Sequence, residues 1–210
     1  MSSASNPNEQ WSVFLPLKQF AAGKSRLGTI PADFRISLIK AMASDLIDAL
    51  LQVSNIQSIT IVGVDHRELT DAANPKLNSF PIAEPIDINS DLQIAIGEPS
   101  RVAIFLPDLP SIKSGEISRA LELASNHRTS FIADQNEIGT TAFFSTIGKA
   151  QTYFGSNSAA AHREAHAFEL TDPEFKGIKA DCDDWSDLLA LDLENLGHST
   201  RSLMEHHLQN

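Results

Sequence analysis

Val102-Ala103-Ile104-Phe105-Leu106-Pro107-Asp108-Leu109-Pro110 is the stretch on which the fold turns. An apolar run of this length, bounded by turn residues, predicts a buried strand over Val102 to Leu106. Proline has a fixed φ and no backbone N–H, so the strand must stop at Pro107. Asp108 is then left at the carboxyl end of a buried strand, where open parallel sheets bind ligands. Two readings of Asp108 stand side by side. It holds a divalent metal, or it sits in a turn and caps a helix starting near Ser111.

Outward from this point the chain repeats one alternation. Trp11 to Leu17 and Ile59 to Val64 predict two earlier buried strands. Between them, Ile39, Met42, Leu46, Leu50 and Val53 recur three or four residues apart, with Ile36, Ala43 and Ile47 widening the stripe. That spacing predicts a core-facing helix over Arg35 to Ser54. Residues 66–73 predict a short helix. Asn74 to Asn89 reads mostly as loop, with a short strand near Phe80 to Ala83, and Asp91 to Ile96 as another short helix. Ser111 to Asn126 predicts a helix and Thr129 to Ala133 a strand ending at Asp134. Strands alternating with helices imply parallel pairing, right-handed crossovers and a helical layer on each face. The expected fold is therefore α/β, three-layered and Rossmann-like, with a mostly parallel central sheet. The glycine fingerprint Gly-x-Gly-x-x-Gly is absent, so NAD is not expected.

The totals set limits. The chain has 210 residues and a formal charge of −11, which predicts one domain over 11–200, a disordered tail at 1–10 and a C-terminal tail at 201–210. The acidic balance argues against nucleic acid and against an anionic membrane surface. With one cysteine, Cys182, no internal disulfide can form. The polar start carries no apolar signal core, and no apolar run is long enough to span a bilayer, so a cytoplasmic protein is expected.

Four further stretches carry chemistry. Lys18 to Leu27 is a small-residue loop holding Lys18, Lys24 and Arg26 just after the first strand; it reads either as a phosphate-wrapping loop or as a solvated basic surface. Ile138-Gly139-Thr140-Thr141 predicts a hydroxyl-bearing turn. Phe154-Gly155-Ser156-Asn157-Ser158 precedes a helix-forming run, and such a start suits a phosphate or is simply an N-cap; His162 lies one turn further on. In Ala180-Asp181-Cys182-Asp183-Asp184, an extended backbone puts Asp181 and Asp183 on one side, forming a hard-oxygen site suited to Mg²⁺. Alternatively, Asp183 caps the following helix, and Asp184 and Asp187 serve its dipole.

In order and spacing these pieces resemble a known family. They are Leu15-Pro16-Leu17-Lys18 with Lys24-Ser25-Arg26-Leu27, Ile88-Asn89, Asp108-Leu109-Pro110 and Gly139-Thr140-Thr141. Phe154-Gly155-x-x-Ser158 with His162, and Asp181-x-Asp183 with Asp187-Leu188, complete the series. The series is similar to the guanylyltransferases that activate phosphoenolpyruvate or 2-phospho-L-lactate in coenzyme F-420 biosynthesis, relatives of the molybdenum-cofactor guanylyltransferase. The resemblance implies a nucleotidyltransferase fold and transfer of GMP from GTP to a small phosphorylated three-carbon acid, with 3-phosphoglycerate a third candidate. It implies Leu15, Lys18, Lys24, Arg26 and Asn89 at the nucleotide, with Lys24, Arg26 and Asp108 catalytic. It further implies Thr140, Gly155 and Ser158 at the acceptor, Mg²⁺ on Asp108, Asp181 and Asp183, and a downstream transferase as partner. The chain departs from the family pattern at Glu137 and Asp87, where glycine is usual, and at Leu106-Pro107, where the proline usually stands one place earlier. Competing readings are a nucleotidyltransferase for a pterin or sugar phosphate, and a nucleotide-binding protein without catalysis.

Overall fold

The computed structural model describes residues 9–17, 30–70 and 74–208. The expectations for Lys18, Lys24 and Arg26, and for the tail up to residue 8, fall outside the described residues. The chain runs β1 (Trp11–Pro16), α1 (Ala32–Leu51), β2 (Ile56–Gly63), β3 (Leu77–Pro81), α2 (Ile88–Ala95), β4 (Val102–Phe105) and α3 (Ser114–Ala124). It continues with β5 (Thr129–Ala133), β6 (Thr140–Ser145), α4 (Ser158–Glu164), β7 (Phe168–Glu169), α5 (Trp185–Ala190) and α6 (His198–Leu208).

The strands form one seven-stranded sheet in the order β3-β2-β1-β4-β6-β5-β7. Pairing is parallel throughout except at β6, which runs antiparallel to both β4 and β5. Pleating sorts the side chains onto two faces. Trp11, Val13, Leu15, Ala103, Phe105, Ala142 and Phe144 pack with α1 and α3 on one face. Phe14, Val102, Ile104, Phe131 and Phe143 pack on the other with Leu92 of α2 and Ala159 of α4. Phe144 meets both Trp11 and Phe105 edge-on, at centroid distances of 6.1 and 5.6 Å. Burying such rings contributes about 2–3 kcal/mol each. The connections from β1 and from β3 lead to opposite sides of the sheet, so a switch point falls between β1 and β4. No helix among the described residues is long and apolar enough to cross a membrane.

Several sequence expectations need correction. Thr140 and Thr141 open β6 rather than forming a turn, because the turn is already made at residues 134–139. The strand near Phe80 to Ala83 begins earlier, at Leu77, whose side chain joins the core. The helix expected from Asp91 starts at Ile88, because Asp87 caps it: its Oδ1 accepts from the N–H groups of Asn89 and Ser90. Met42 is buried as expected; with Leu38 it packs in a third core cluster formed with Cys182, Leu188, Leu196 and Met204. Residues 201–208 are not a tail but most of α6, which buries Thr200 and Met204. Asp45 of α1 docks that helix. Its carboxylate accepts from the N–H groups of Ser199 and Thr200, both at 2.8 Å. Gly197 permits the approach, since a Cβ there would lie 2.2 Å from the Asp45 carboxyl carbon.

Candidate active site

The carboxyl ends of β1, β2, β4 and β5 share one edge of the sheet, and antiparallel β6 begins at that edge. An open cleft of about 590 Å³ lies there. Leu106 and Asp108 reach it from the end of β4, Asp134 from the end of β5, and Gly139 and Thr140 from the start of β6. Phe154 to Ser158 and the pair Asp181 and Asp183 close it.

Asp108 is buried, and its carbonyl accepts a hydrogen bond from the Cys182 N–H at 3.0 Å. Cys182 points into the third apolar cluster, while its neighbours Asp181 and Asp183 line the cleft, as alternation along an extended segment requires. Asp108 does not cap a helix at Ser111 and Asp183 does not cap α5, although Asp184 and Asp187 do serve the start of α5 as expected. The helix after Asp108 begins only at Ser114, and α5 is capped by Asp184, which accepts from the N–H groups of Ser186 and Asp187. Among the described residues no three acidic, histidine or cysteine side chains stand as a group that could hold a metal ion. The cleft thus offers hard carboxylate oxygens, the donor type Mg²⁺ takes, without an assembled three-ligand cage.

Asp134 is the residue sequence reasoning passed over. Its Oδ1 accepts from the N–H groups of Asn136 and Ile138, and its Oδ2 from Gly139 N–H at 2.7 Å. The carboxylate ties the β5–β6 turn into a ring. Gly139 has to be glycine, because a Cβ there would fall 2.5 Å from Asp134 Oδ2. The available signal was position: Asp134 ends β5 as Asp108 follows β4. Within the same turn Glu137 has φ 61°, the left-handed region in which glycine is favoured. Glu137 is exposed and its side chain is not part of the cleft wall.

The opposite wall is held by Asn89. Its Oδ1 accepts from Thr152 Oγ1 and from Phe154 N–H, and its Nδ2 donates to the Phe154 carbonyl at 2.8 Å. Both ends of the amide thus bond the 152–154 segment, a structural role beside the one expected for Asn89 at the nucleotide. Leu15, expected at the nucleotide, is 1% exposed and its side chain packs in the core. Ala159 N–H donates to the Ile138 carbonyl, so the two loops around Thr140 and Ser158 are locked together. Thr140, Gly155 and Ser158, expected at the acceptor, all face the cleft with Asp108, Asp181 and Asp183.

Behind Thr140 lies His162, wholly buried. The rings of Phe131, Phe143, Tyr153 and Phe154 surround it, with centroids 5.1–5.7 Å away. Burial pushes its pKa down to about 4, opposed by a hydrogen bond with the Ser158 backbone, so the ring is neutral at pH 7.

A cleft walled by carboxylates at the carboxyl edge of this sheet, together with the family and relatives the chain matches, defines a nucleotidyltransferase. The whole fold matches a crystal structure from Desulfovibrio desulfuricans G20 assigned as a nucleotide-diphospho-sugar transferase, with TM-score 0.66, 13% identity and 95% of each chain covered. It also matches 4-diphosphocytidyl-2C-methyl-D-erythritol synthase from Anaerococcus prevotii, with TM-score 0.54, 10% identity, and 87% of this chain and 96% of the other covered. Residues 11–205 match the family described as guanylyl transferase CofC like, and the chain belongs to that family. A phosphoenolpyruvate guanylyltransferase of Mycobacterium leprae is 32% identical over 206 residues, covering 92% of this chain and 94% of that protein.

Proposed function

We propose that the protein transfers GMP from GTP to a small phosphorylated three-carbon acid, phosphoenolpyruvate or 2-phospho-L-lactate, in a Mg²⁺-dependent step that serves coenzyme F-420 synthesis. One observation carries this reading. The described cleft wall contains four aspartates, no lysine and no arginine, yet the reaction must bring two anions together. Positive charge for that step would come from a divalent cation and from Lys18, Lys24 and Arg26, which follow Leu17 and the end of β1 in the sequence.

An acceptor phosphate is mostly dianionic at neutral pH, its second pKa being about 6, so no general base is required. Its oxygen attacks the α-phosphorus of GTP. The α–β bridging P–O bond breaks and pyrophosphate leaves with the electron pair. Asp108, Asp181 and Asp183 are the residues that would hold Mg²⁺, which supplies electrostatic stabilisation of the phosphate oxygens. Such an ion is held by one or two carboxylates, nucleotide phosphates and water, so a full protein cage is not needed. Thr140, Ser158 and the Gly155 backbone grip the acceptor through fixed donors and align the attack. A small apolar pocket beside Pro16, Leu17, Gly63, Ile82 and Pro85 shares Ile88 with the cleft wall. Incubation with GTP, Mg²⁺ and a panel of phosphorylated acids, pterins and sugars tests the assignment. Pyrophosphate release with a three-carbon phospho acid supports it; release only with a larger acceptor refutes it.

A further inference from the structure

The hydrogen-bond directions around His162 have a consequence for what the cleft can bind. The Tyr153 backbone N–H can only donate, and it lies 3.2 Å from His162 Nε2. Nε2 is therefore an acceptor and carries no hydrogen. In a neutral imidazole the hydrogen is then on Nδ1. Nδ1 lies 3.0 Å from Thr140 Oγ1, and the ring also bonds the Ser158 backbone, a bond that only Nδ1–H can donate; towards this nitrogen the Thr140 hydroxyl can therefore only accept. The hydroxyl hydrogen of Thr140 cannot point at a nitrogen that already bears one. Thr140 lines the cleft, and the hydrogen bonds of the described residues give Oγ1 no other protein acceptor.

We propose that His162 is a positioning residue that turns the Thr140 hydroxyl hydrogen away from the ring and into the cleft, favouring a group that accepts it: the phosphate or carboxylate of the acceptor. The opposite tautomer would take the hydroxyl hydrogen for itself and turn oxygen lone pairs towards the same anion. The aromatic cage keeps water from the ring, and the Tyr153 N–H holds the tautomer without any charge. The inference rests on the acceptor assignment of this cleft and names the residue behind its selectivity.

Two measurements decide it. Long-range ¹⁵N–¹H correlation spectra of the wild-type protein report the His162 tautomer independently of activity. Hydrogen on Nδ1 is expected; hydrogen on Nε2, with turnover intact, overturns the inference and leaves the function standing. Steady-state kinetics with phosphoenolpyruvate form the second. Thr140→Val raises the acceptor KM by about ten-fold or more, the loss of one hydrogen bond to a charged group. His162→Gln keeps an acceptor for Tyr153 but removes the donor to Thr140, and gives a similar rise with the GTP KM little changed. His162→Asn retains a donor near the Nδ1 position and recovers most of the loss. The Thr140→Val/His162→Gln double variant is no worse than the poorer single one. Additive effects, or equal losses in Gln and Asn, overturn the coupling. If neither ring-deleted protein folds, the tautomer of the wild-type ring decides by itself. Wild-type protein that uses no three-carbon phospho acid removes the functional reading, and this inference with it.

Discussion

The Cys182 N–H donates to the Asp108 carbonyl at 3.0 Å. Seventy-odd residues separate the two in sequence, and this backbone bond ties the C-terminal acidic segment to the end of β4. Because the Cys182 side chain is buried in an apolar cluster, Asp181 and Asp183 are turned the other way. Register, not charge, places these carboxylates beside Asp108, since like charges would otherwise move apart.

Asn89→Ala should loosen the cleft wall rather than remove a nucleotide contact. The amide makes hydrogen bonds to Thr152 and to both backbone groups of Phe154. Their loss costs about 1–3 kcal/mol and frees Gly155 to Ser158. Stopped assays should show the acceptor KM rising more than the GTP KM. A rise confined to GTP would assign Asn89 to the nucleotide.

Glu137→Gly should stabilise the protein. A non-glycine residue in the left-handed region costs about 1–2 kcal/mol, partly offset by the chain entropy that glycine gives up. Urea unfolding should show a gain of about 0.5–1 kcal/mol. Because the Glu137 side chain stands outside the cleft wall, kcat and the acceptor KM should stay within two-fold of wild type, roughly the span of an exposed-site change.

Protonation of His162 gives a pH signature. Its folded pKa, about 4, lies below the unfolded value of about 6.5. The unfolded chain therefore binds the proton first as pH falls. Stability from this group is complete above pH ~6.5, declines as pH drops towards ~4, and changes no further below that. The loss is on the order of 1–3 kcal/mol. Chemical denaturation between pH 7 and 4 should show a shallower decline in His162→Gln than in wild type.

Asp45→Ala should detach α6. The carboxylate caps that helix across more than 150 residues of sequence, and a lost cap costs about 1–2 kcal/mol. Hydrogen exchange in 198–208 should accelerate more than in the sheet. Uniform acceleration would mean that α6 is part of the global unfolding unit.

These contacts show where sequence reading ends. The buried strands were legible because each is a short apolar run closed by a turn residue, as in Phe105 to Pro107. The alternation at Asp181-Cys182-Asp183 was legible for the same reason, since side-chain direction follows from period two. The antiparallel course of β6 was not, because Ala142-Phe143-Phe144 reads the same in either direction. Helix α6 was missed because only Thr200 and Met204 are buried and its cap comes from Asp45, far away in the chain. Asn89 was singled out on its motif, but the carbonyl and N–H that occupy its amide belong to a loop 65 residues later. His162 was noticed by spacing; its link to Thr140 depends on the fold.

Asp108 provides the most direct test. Asp108→Asn preserves shape and removes one charge from the cleft. Pyrophosphate release from GTP and phosphoenolpyruvate should be followed across a Mg²⁺ titration, with circular dichroism confirming an unchanged fold. The expected result is a fall in turnover of about 100-fold or more, only partly restored at high Mg²⁺, a loss in the range seen when one electrostatic contact to a transition state is removed. Wild-type turnover with unaltered Mg²⁺ dependence in the folded variant would contradict a metal-assisted reaction at this cleft.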